Sequence, residues 1–480
     1  MKLSALLKKV NILTMGASPD VEITSITDNS AKVVPGCAFV CIEGKRFDGH
    51  TVAAEAVKNG ASAVIACRDT GLDCQVLTSD TRAAYALMCS AWYGDPAEKL
   101  KIIGVTGTNG KTTTCFILRE MLSSFGKKTG LIGTVKNMAG EKEFPSSLTT
   151  PDPMELYSLF SIMVEEGCEY CVMEASSQAL AQKRLEGIRF TAAIFTNLTE
   201  DHLDYHETFE NYVAAKHMLF ENADLAVVNY DDGYMREIIK DISCPVKTFS
   251  AKKDEADYTA KNIQVKSSGT EYELVAEGMI GRVKFGIPGT FSVYNSMGAI
   301  VCLTELGFPF SETVAASAKT KGVPGRIEVV PTDTDFTVII DYAHTPDGLQ
   351  NILETVNEIA EGKVITVFGC GGDRDKSKRP IMGRIAVGNS DMVIVTSDNP
   401  RTEDPEKIID DIMTGIDKPK IPVYRICDRT DAIKKALKKA RTGDIVLLAG
   451  KGHETYQILG TEKIHYDERE KVAGLLKEPV

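Results

Sequence analysis

The 480-residue chain has no long apolar run; stretches such as 338–340 and Ile445–Ala449 fall far short of the ~20 residues that a spanning helix requires. No apolar core follows the lysines near Met1–Val10, so export is not expected and the cytoplasm is the expected location. An excess of positive charge is missing too: 55 Lys and Arg stand against 67 Asp and Glu, and the net charge of -12 argues against a general nucleic-acid binder. The twelve cysteines lack the spacing of a disulfide framework. Several of them, including Cys67, Cys171 and Cys302, lie in apolar stretches and read as reduced, mostly buried thiols. A single Cys–x–x–Cys at Cys168 and Cys171 has no second copy and runs into a strand-like segment, which favours packing over metal or redox use. Neither a short-period repeat nor a low-complexity tract is present.

What remains is the composition of an ordinary globular protein, 43% hydrophobic and 25% charged. Its length corresponds to three domains at ~150 residues each. Residues 1–97 alternate short apolar segments with turns and end in Gly94–Asp95–Pro96, a natural stop. Residues 98–325 begin with a strand-like run at 100–105, a Gly/Thr-rich turn and a helical stretch at 113–125. Further buried strands follow at 171–173, Ala192–Phe195 and 225–228, and polar alternation over 257–284 predicts antiparallel strands. After Gly322, Pro324 and Gly325, residues 326–480 start a second doubly wound α/β pattern, with strands at 338–340, Val364–Phe368, Met392–Val395 and 445–448.

The strongest local signal is Gly104–Val–Thr–Gly–Thr–Asn–Gly–Lys–Thr–Thr–Thr114, set between a strand and a helix. Backbone N–H groups in such a loop cradle phosphate oxygens, Lys111 reaches the β- and γ-phosphates, and Thr112 offers a hydroxyl to magnesium. Val105 stands where the strict P-loop has glycine. Glu174 and His202 fall after strands, where ligands of an open parallel sheet collect, and with phosphate oxygens they suit magnesium or manganese better than zinc.

Taken in order, these segments resemble the Mur ligase family over essentially the whole chain. The motifs are Gly107–Thr–Asn–Gly–Lys–Thr–Thr–Thr114, Thr149–Thr–Pro–Asp152, Glu174–Ala–Ser–Ser177 and Thr196–Asn–Leu–Thr–Glu–Asp–His–Leu–Asp204. They continue with Tyr212–Val–Ala–Ala–Lys216, Pro324–Gly–Arg326, Asp341–Tyr–Ala–His–Thr–Pro346, Gly369–Cys–Gly–Gly–Asp–Arg374, Asp398–Asn–Pro–Arg401 and Gly450–Lys–Gly–His–Glu454. The resemblance implies an α/β, three-domain architecture: a UDP-substrate domain (1–97), a central P-loop ATPase-like domain (98–325) and a C-terminal Rossmann-like amino-acid domain (326–480). It implies ATP at Gly107, Thr108, Asn109, Gly110, Lys111, Thr112, Thr113, Asn295, Arg326 and Asp341, and Mg2+ or Mn2+ at Thr112, Glu174 and His202. Lys111, Lys216, His202 and Glu174 form the implied catalytic set, with Lys216 carrying CO2 as a carbamate (N6-carboxylysine).

The implied substrate, UDP-N-acetylmuramoyl-L-alanyl-D-glutamate, would lie along Ser30, Thr149, Thr150, Ser176 and Arg184. Meso-diaminopimelate would lie along Arg374, Asp398, Asn399, Arg401, Gly450 and Glu454, and a monomer is expected. The chain departs from the family pattern at Asn29–Ser30–Ala31 (Asp–Ser–Arg in relatives), at Gln178 (often His) and at Ser292 (commonly Asn). Competing readings are the same reaction with L-lysine, a family member that adds D-Ala–D-Ala or an earlier residue, a folate-polyglutamate or cyanophycin-type ligase, and a non-catalytic nucleotide switch. The Thr149–Asp152 and Asp398–Arg401 motif pair tells against the folate and cyanophycin types. For Arg401 the bland alternative is a local ion pair with Glu403 or Asp404.

Overall fold

The computed structural model of the chain describes residues 1–44, 47–199, 203–266, 269–320 and 322–477, the side chains of Leu203 and Asp204 excepted. The chain forms two compact units, one of residues 1–258 and 301–307, the other of 259–300 and 308–480.

The first unit holds two α/β sheets. In the N-terminal one, Ser25–Thr27, Cys37–Val40, Ala63–Ala66 and Gln75–Thr78 run parallel, and Ile12–Met15 closes one edge antiparallel. The larger sheet runs Val246–Ser250, Ala226–Asn229, Ala192–Phe195, Lys101–Thr106, Tyr170–Glu174 and Thr129–Ile132, all parallel. The antiparallel pair Asn137–Ala139 and Lys142–Phe144 extends its far side. Lys101–Thr106 is buried at every position but its first, and strands covered on both faces need such continuous apolar runs. It lies between strands that come later in the chain, so the order reverses here and a crevice opens at its carboxyl end.

The second unit repeats the logic. Thr337–Asp341, Ile445–Ala449, Val364–Phe368, Met392–Val395 and Val423–Arg425 lie parallel in that order, with Glu328–Val330 antiparallel at the edge. Helices Pro346–Ile359 and Pro405–Met413 pack an isoleucine- and leucine-rich stripe on one face, and Arg429–Lys439 covers the other. All three begin on side-chain caps, from Thr345, Asp404 and Asp428, each worth about 1 kcal/mol. The strands expected over 257–284 fall at Tyr258–Lys266, Gly269–Ala276 and Met279–Phe285, the last two paired antiparallel. Among the described residues no helix is long and apolar enough to cross a membrane.

All twelve cysteines are unpaired and eight are buried, including Cys168 and Cys171 of the lone Cys–x–x–Cys. Cys67 corrects the sequence reading: the strand stops at Ala66, and Cys67, one residue beyond, is exposed.

Candidate active site

The phosphate loop sits where the sequence places it. Lys101–Thr106 ends, Gly107 to Gly110 turn, and helix Lys111–Ser124 begins. Gly107 (φ 147°) and Gly110 (φ 85°) adopt conformations that favour glycine, and a side chain on Gly107 would run into the Thr196 hydroxyl. The neighbouring strand's loop holds the turn. Asn197 Oδ1 accepts from the Asn109 amide (2.9 Å) and its Nδ2 donates back to the Asn109 carbonyl (3.2 Å). Thr196 Oγ1 also donates to that carbonyl (2.6 Å), and the Thr108 hydroxyl meets Tyr212 Oη at 3.0 Å.

Two lysines converge beneath the loop. Lys111 Nζ donates to the carbonyls of Gly107 (2.9 Å) and Thr108 (2.8 Å). Lys216, 1% exposed on helix Phe209–Glu221, donates to the same Gly107 carbonyl at 2.7 Å and lies 4.5 Å above the Tyr212 ring. The i, i+4 spacing from Tyr212 to Lys216 makes that contact.

Glu174 is buried at the end of its strand. Its Oε2 accepts from Thr112 Oγ1 (3.0 Å) and Thr134 Oγ1 (3.2 Å), and its Oε1 from the Thr134 amide (2.8 Å). A threonine hydroxyl beside a carboxylate is the kind of hard oxygen donor set that Mg2+ takes. The pair therefore fits the implied metal. His202 lies outside the described residues, and among the described residues no cluster of three His, Cys, Asp or Glu could hold an ion.

The acceptor residues gather beside Glu174. Thr150 Oγ1 donates to the Glu174 carbonyl (2.7 Å), accepts from the Ser176 amide (3.0 Å) and lies 3.1 Å from Ser176 Oγ. Arg184 Nη1 donates to the Thr150 carbonyl (2.8 Å), and Thr149 meets Thr134 hydroxyl to hydroxyl (3.1 Å). Ser30 stands half-buried in the N-terminal sheet domain, at the start of a turn capped by Asn29.

In the second unit the site residues again follow strand ends. Asp341 is buried, and its two oxygens accept from the amides of Ile327 and Ala343, both at 2.8 Å. Burial pushes its carboxyl above the ordinary range, against the pull of Arg326 and those amides. Arg326 lies over the Tyr342 ring at 5.3 Å, and Asn295 is buried on helix Thr290–Glu305. Burial likewise lowers His344 and His453, which favours neutral imidazoles.

Arg401 takes a left-handed conformation (φ 52°), uncommon outside glycine. Its backbone is pinned on both sides, N–H to the Ile458 carbonyl (3.2 Å) and carbonyl to the Gly460 amide (2.8 Å). Its Nη1 donates to the Gly372 carbonyl (2.8 Å). The acids that might have neutralised it are engaged elsewhere: Glu403 takes the fork of the wholly buried Arg379 (2.9 and 3.0 Å), and Asp404 caps a helix. Arg374 is exposed nearby, and Gly371 lies against both arginines: a Cβ there would come within 2.9 Å of Arg401 Nη1 and 3.8 Å of Arg374 Cγ.

Asp398 is 7% exposed, yet its Oδ2 accepts no hydrogen bond among the described residues; Arg429 Nη1 approaches only to 4.0 Å. A side chain at Gly450 (φ 115°) would crowd that oxygen at 2.7 Å. Asn399 Nδ2 donates to Glu454 Oε2 (2.8 Å). The cluster thus presents two guanidinium groups, an orphan carboxylate oxygen and a second carboxylate, a set suited to a ligand carrying carboxylate and ammonium at one end.

Sequence reasoning missed Thr134, Asn197 and Lys451. The first two act across 40 and 88 residues of chain, contacts that only the strand order creates. Asn197 and Lys451 were legible in part, each inside one of the family-like motifs, with Lys451 three residues before Glu454.

A phosphate loop at a sheet's switch point, a carboxylate paired with its threonine and a second doubly wound sheet bearing a cluster of arginines and carboxylates define a modular nucleotide-dependent enzyme. Three family models match the chain: "Mur ligase family, catalytic domain" over 22–91, "Mur ligase middle domain" over 105–303 and "Mur ligase, glutamate ligase domain" over 325–452. The UDP-N-acetylmuramoyl-L-alanyl-D-glutamate--2,6-diaminopimelate ligase of Clostridium botulinum is 46% identical over 466 residues, spanning 95% of this chain and 96% of that protein. Its Clostridium perfringens counterpart is 45% identical over 99% and 100%. A solved structure of a ligase with the same name superposes with a TM-score of 0.75 at 33% identity, covering 99% of this chain and 98% of that one. MurF from Acinetobacter baumannii, at 18% identity and a TM-score of 0.61, shares the fold over 99% of each chain. The chain belongs to the Mur ligase family.

Proposed function

We infer that the chain joins meso-diaminopimelate to the D-glutamate of UDP-N-acetylmuramoyl-L-alanyl-D-glutamate at the expense of ATP, in peptidoglycan precursor synthesis. The observation that carries this reading is its end-to-end likeness to ligases of that name, 45–46% identical over nearly their full length. The domain borders proposed with it are 1–97, 98–325 and 326–480.

A carboxylate does not react with an amine in water until its oxygen becomes a leaving group. The acceptor carboxylate attacks the γ-phosphorus, ADP departs, and an acyl phosphate forms. The amine then adds to the acyl carbon, and the tetrahedral intermediate expels inorganic phosphate. Lys111 is proposed to exchange its loop carbonyls for phosphate oxygens and to stabilise charge on the phosphoryl group in flight. Thr112, Glu174 and His202 are proposed to hold Mg2+, which supplies charge neutralisation when bound. Asn295, Arg326 and Asp341 are proposed nucleotide contacts. Thr149, Thr150, Ser176 and Arg184 are proposed to orient the acceptor, with Ser30 at the uridine end.

Lys216 is proposed to carry a carbamate. Its burial beneath the phosphate loop, beside the Gly107 carbonyl, supports this. A carbamate also keeps one N–H for the Gly107 carbonyl. In the second unit, Arg374 and Arg401 are proposed to bind the distal carboxylate, and Asp398, Asn399, Gly450 and Glu454 the ammonium beside it.

The test offers meso-diaminopimelate, L-lysine and D-Ala–D-Ala with ATP and the UDP-linked dipeptide, and reads product mass. The expected product is the diaminopimelate adduct; equal use of L-lysine would overturn the assignment.

A further inference from the structure

Lys451 is wholly buried, and nothing above gives it a role. Taking an ammonium out of water costs several kcal/mol, and an ion pair rarely returns that as net stability unless its geometry is close. Here the geometry is loose. Nζ has two side-chain acceptors, Asn399 Oδ1 at 3.3 Å and Glu454 Oε2 at 3.2 Å, and lies 5.8 Å from the Tyr456 ring. A stabilising role alone accounts poorly for a lysine at this place.

The arrangement of acceptors is more informative. The Ile458 amide donates to Asn399 Oδ1 (3.0 Å), which fixes the amide so that Nδ2 faces Glu454. Glu454 Oε2 thus receives two donors, Asn399 Nδ2 and Lys451 Nζ. Oε1 keeps one long contact, with Tyr456 Oη at 3.5 Å. One oxygen is clamped inward and the other is aimed.

We propose that Lys451 is a positioning residue for the amino-acid substrate: with Asn399 it locks one oxygen of Glu454 and thereby presents the other to the distal ammonium of a diamino acid. The proposal rests on the functional reading above and adds to it a residue that need not touch substrate. A carboxylate held in one rotamer loses no conformational freedom when the ammonium arrives, whereas a loose Glu454 would have to be ordered by the substrate itself.

The experiment measures KM for meso-diaminopimelate, ATP and the UDP-linked dipeptide in wild type, Lys451→Met, Lys451→Arg, Glu454→Gln and the Lys451→Met/Glu454→Gln double variant. Lys451→Met is expected to raise KM for diaminopimelate about five- to tenfold, as for a side chain that the substrate must now order itself, with the other two KM values within about twofold. Arginine keeps the charge but cannot place one ammonium between both acceptors, so Lys451→Arg should fall between, and it carries the test alone if the methionine variant does not fold. In the Glu454→Gln background, Lys451→Met should add no more than about twofold, because both changes remove one interaction. A full additional effect in that background, an unchanged KM for diaminopimelate, or an equal rise in all three KM values would overturn the proposal. A wild type that ligates some other amine instead would overturn the functional reading first, and this inference with it.

Discussion

Lys111 reaches back over its own loop, so an arriving triphosphate must exchange with the carbonyls of Gly107 and Thr108 for the same ammonium. Lys111→Ala should therefore leave the circular dichroism spectrum unchanged while kcat falls about 100-fold or more, since the lost interaction matters most as phosphoryl charge develops. Near-normal kcat in steady-state assays would refute that role. Arg401 poses the matching question at the amino-acid end. With Glu403 engaged by Arg379, its guanidinium has no carboxylate partner among the described residues. L-lysine would leave it so, and discrimination of a few kcal/mol is expected. Arg401→Ala should depress kcat/KM for meso-diaminopimelate and spare that for L-lysine, narrowing the ratio; an unchanged ratio would count against it. Single residues in loops after strands were the most legible part of the sequence, because motif and chain position coincide there. Lys451 escaped because its partner Asn399 lies 52 residues away.

Helices Lys378–Gly388 and Pro405–Met413 are tied by Arg379, whose guanidinium bonds Glu403 in the loop before the second helix and Asp411 within it. Glu403 also accepts from the Asp373 amide, so one carboxylate joins the 369–374 loop to the 398–404 loop. The Arg379 fork, aided by that amide, holds its carboxyl at about 2. A depressed carboxyl contributes stability above its unfolded value and loses it as pH falls toward the folded one. Glu403→Gln should thus lower the unfolding free energy in urea at pH 7 by about 1 kcal/mol, because solvent screens the pair and Asp411 still holds Arg379, and the gap should close as pH drops from about 4.5 toward 2. A gap independent of pH would exclude the ion pair as its source. Most strands of this unit could be read from apolar runs, and Val364–Phe368 and Met392–Val395 match their expected bounds. The hairpin Tyr456–Leu459 with Glu462–His465, which pins Arg401, could not: its side chains are mostly exposed and carry no core pattern.

At the scale of the whole molecule, the sequence exposed two α/β repeats but not their strand order. That order alone brings residues 106–113, 134, 150, 174–176 and 196–197 to one end of one sheet. Since the phosphate loop belongs to the unit of residues 1–258 and 301–307, nucleotide should stabilise that unit. A non-hydrolysable ATP analogue with Mg2+ at 100 times its Kd is expected to add about 2.7 kcal/mol. Hydrogen exchange should register this first as slowed exchange in 101–124, and calorimetry as a raised transition. Protection confined to 326–480 would contradict the placement.

The fit of Gly107 against the Thr196 hydroxyl also bears on how the enzyme can escape an inhibitor. A compound packed against the backbone at Gly107 contacts no side chain at that position which substitution could remove. Replacing Gly107 would demand both a backbone angle that L-residues resist and the loss of Thr196, which itself holds the turn. No single nucleotide change satisfies both. Resistance to such a compound is therefore not expected from a point mutation at position 107.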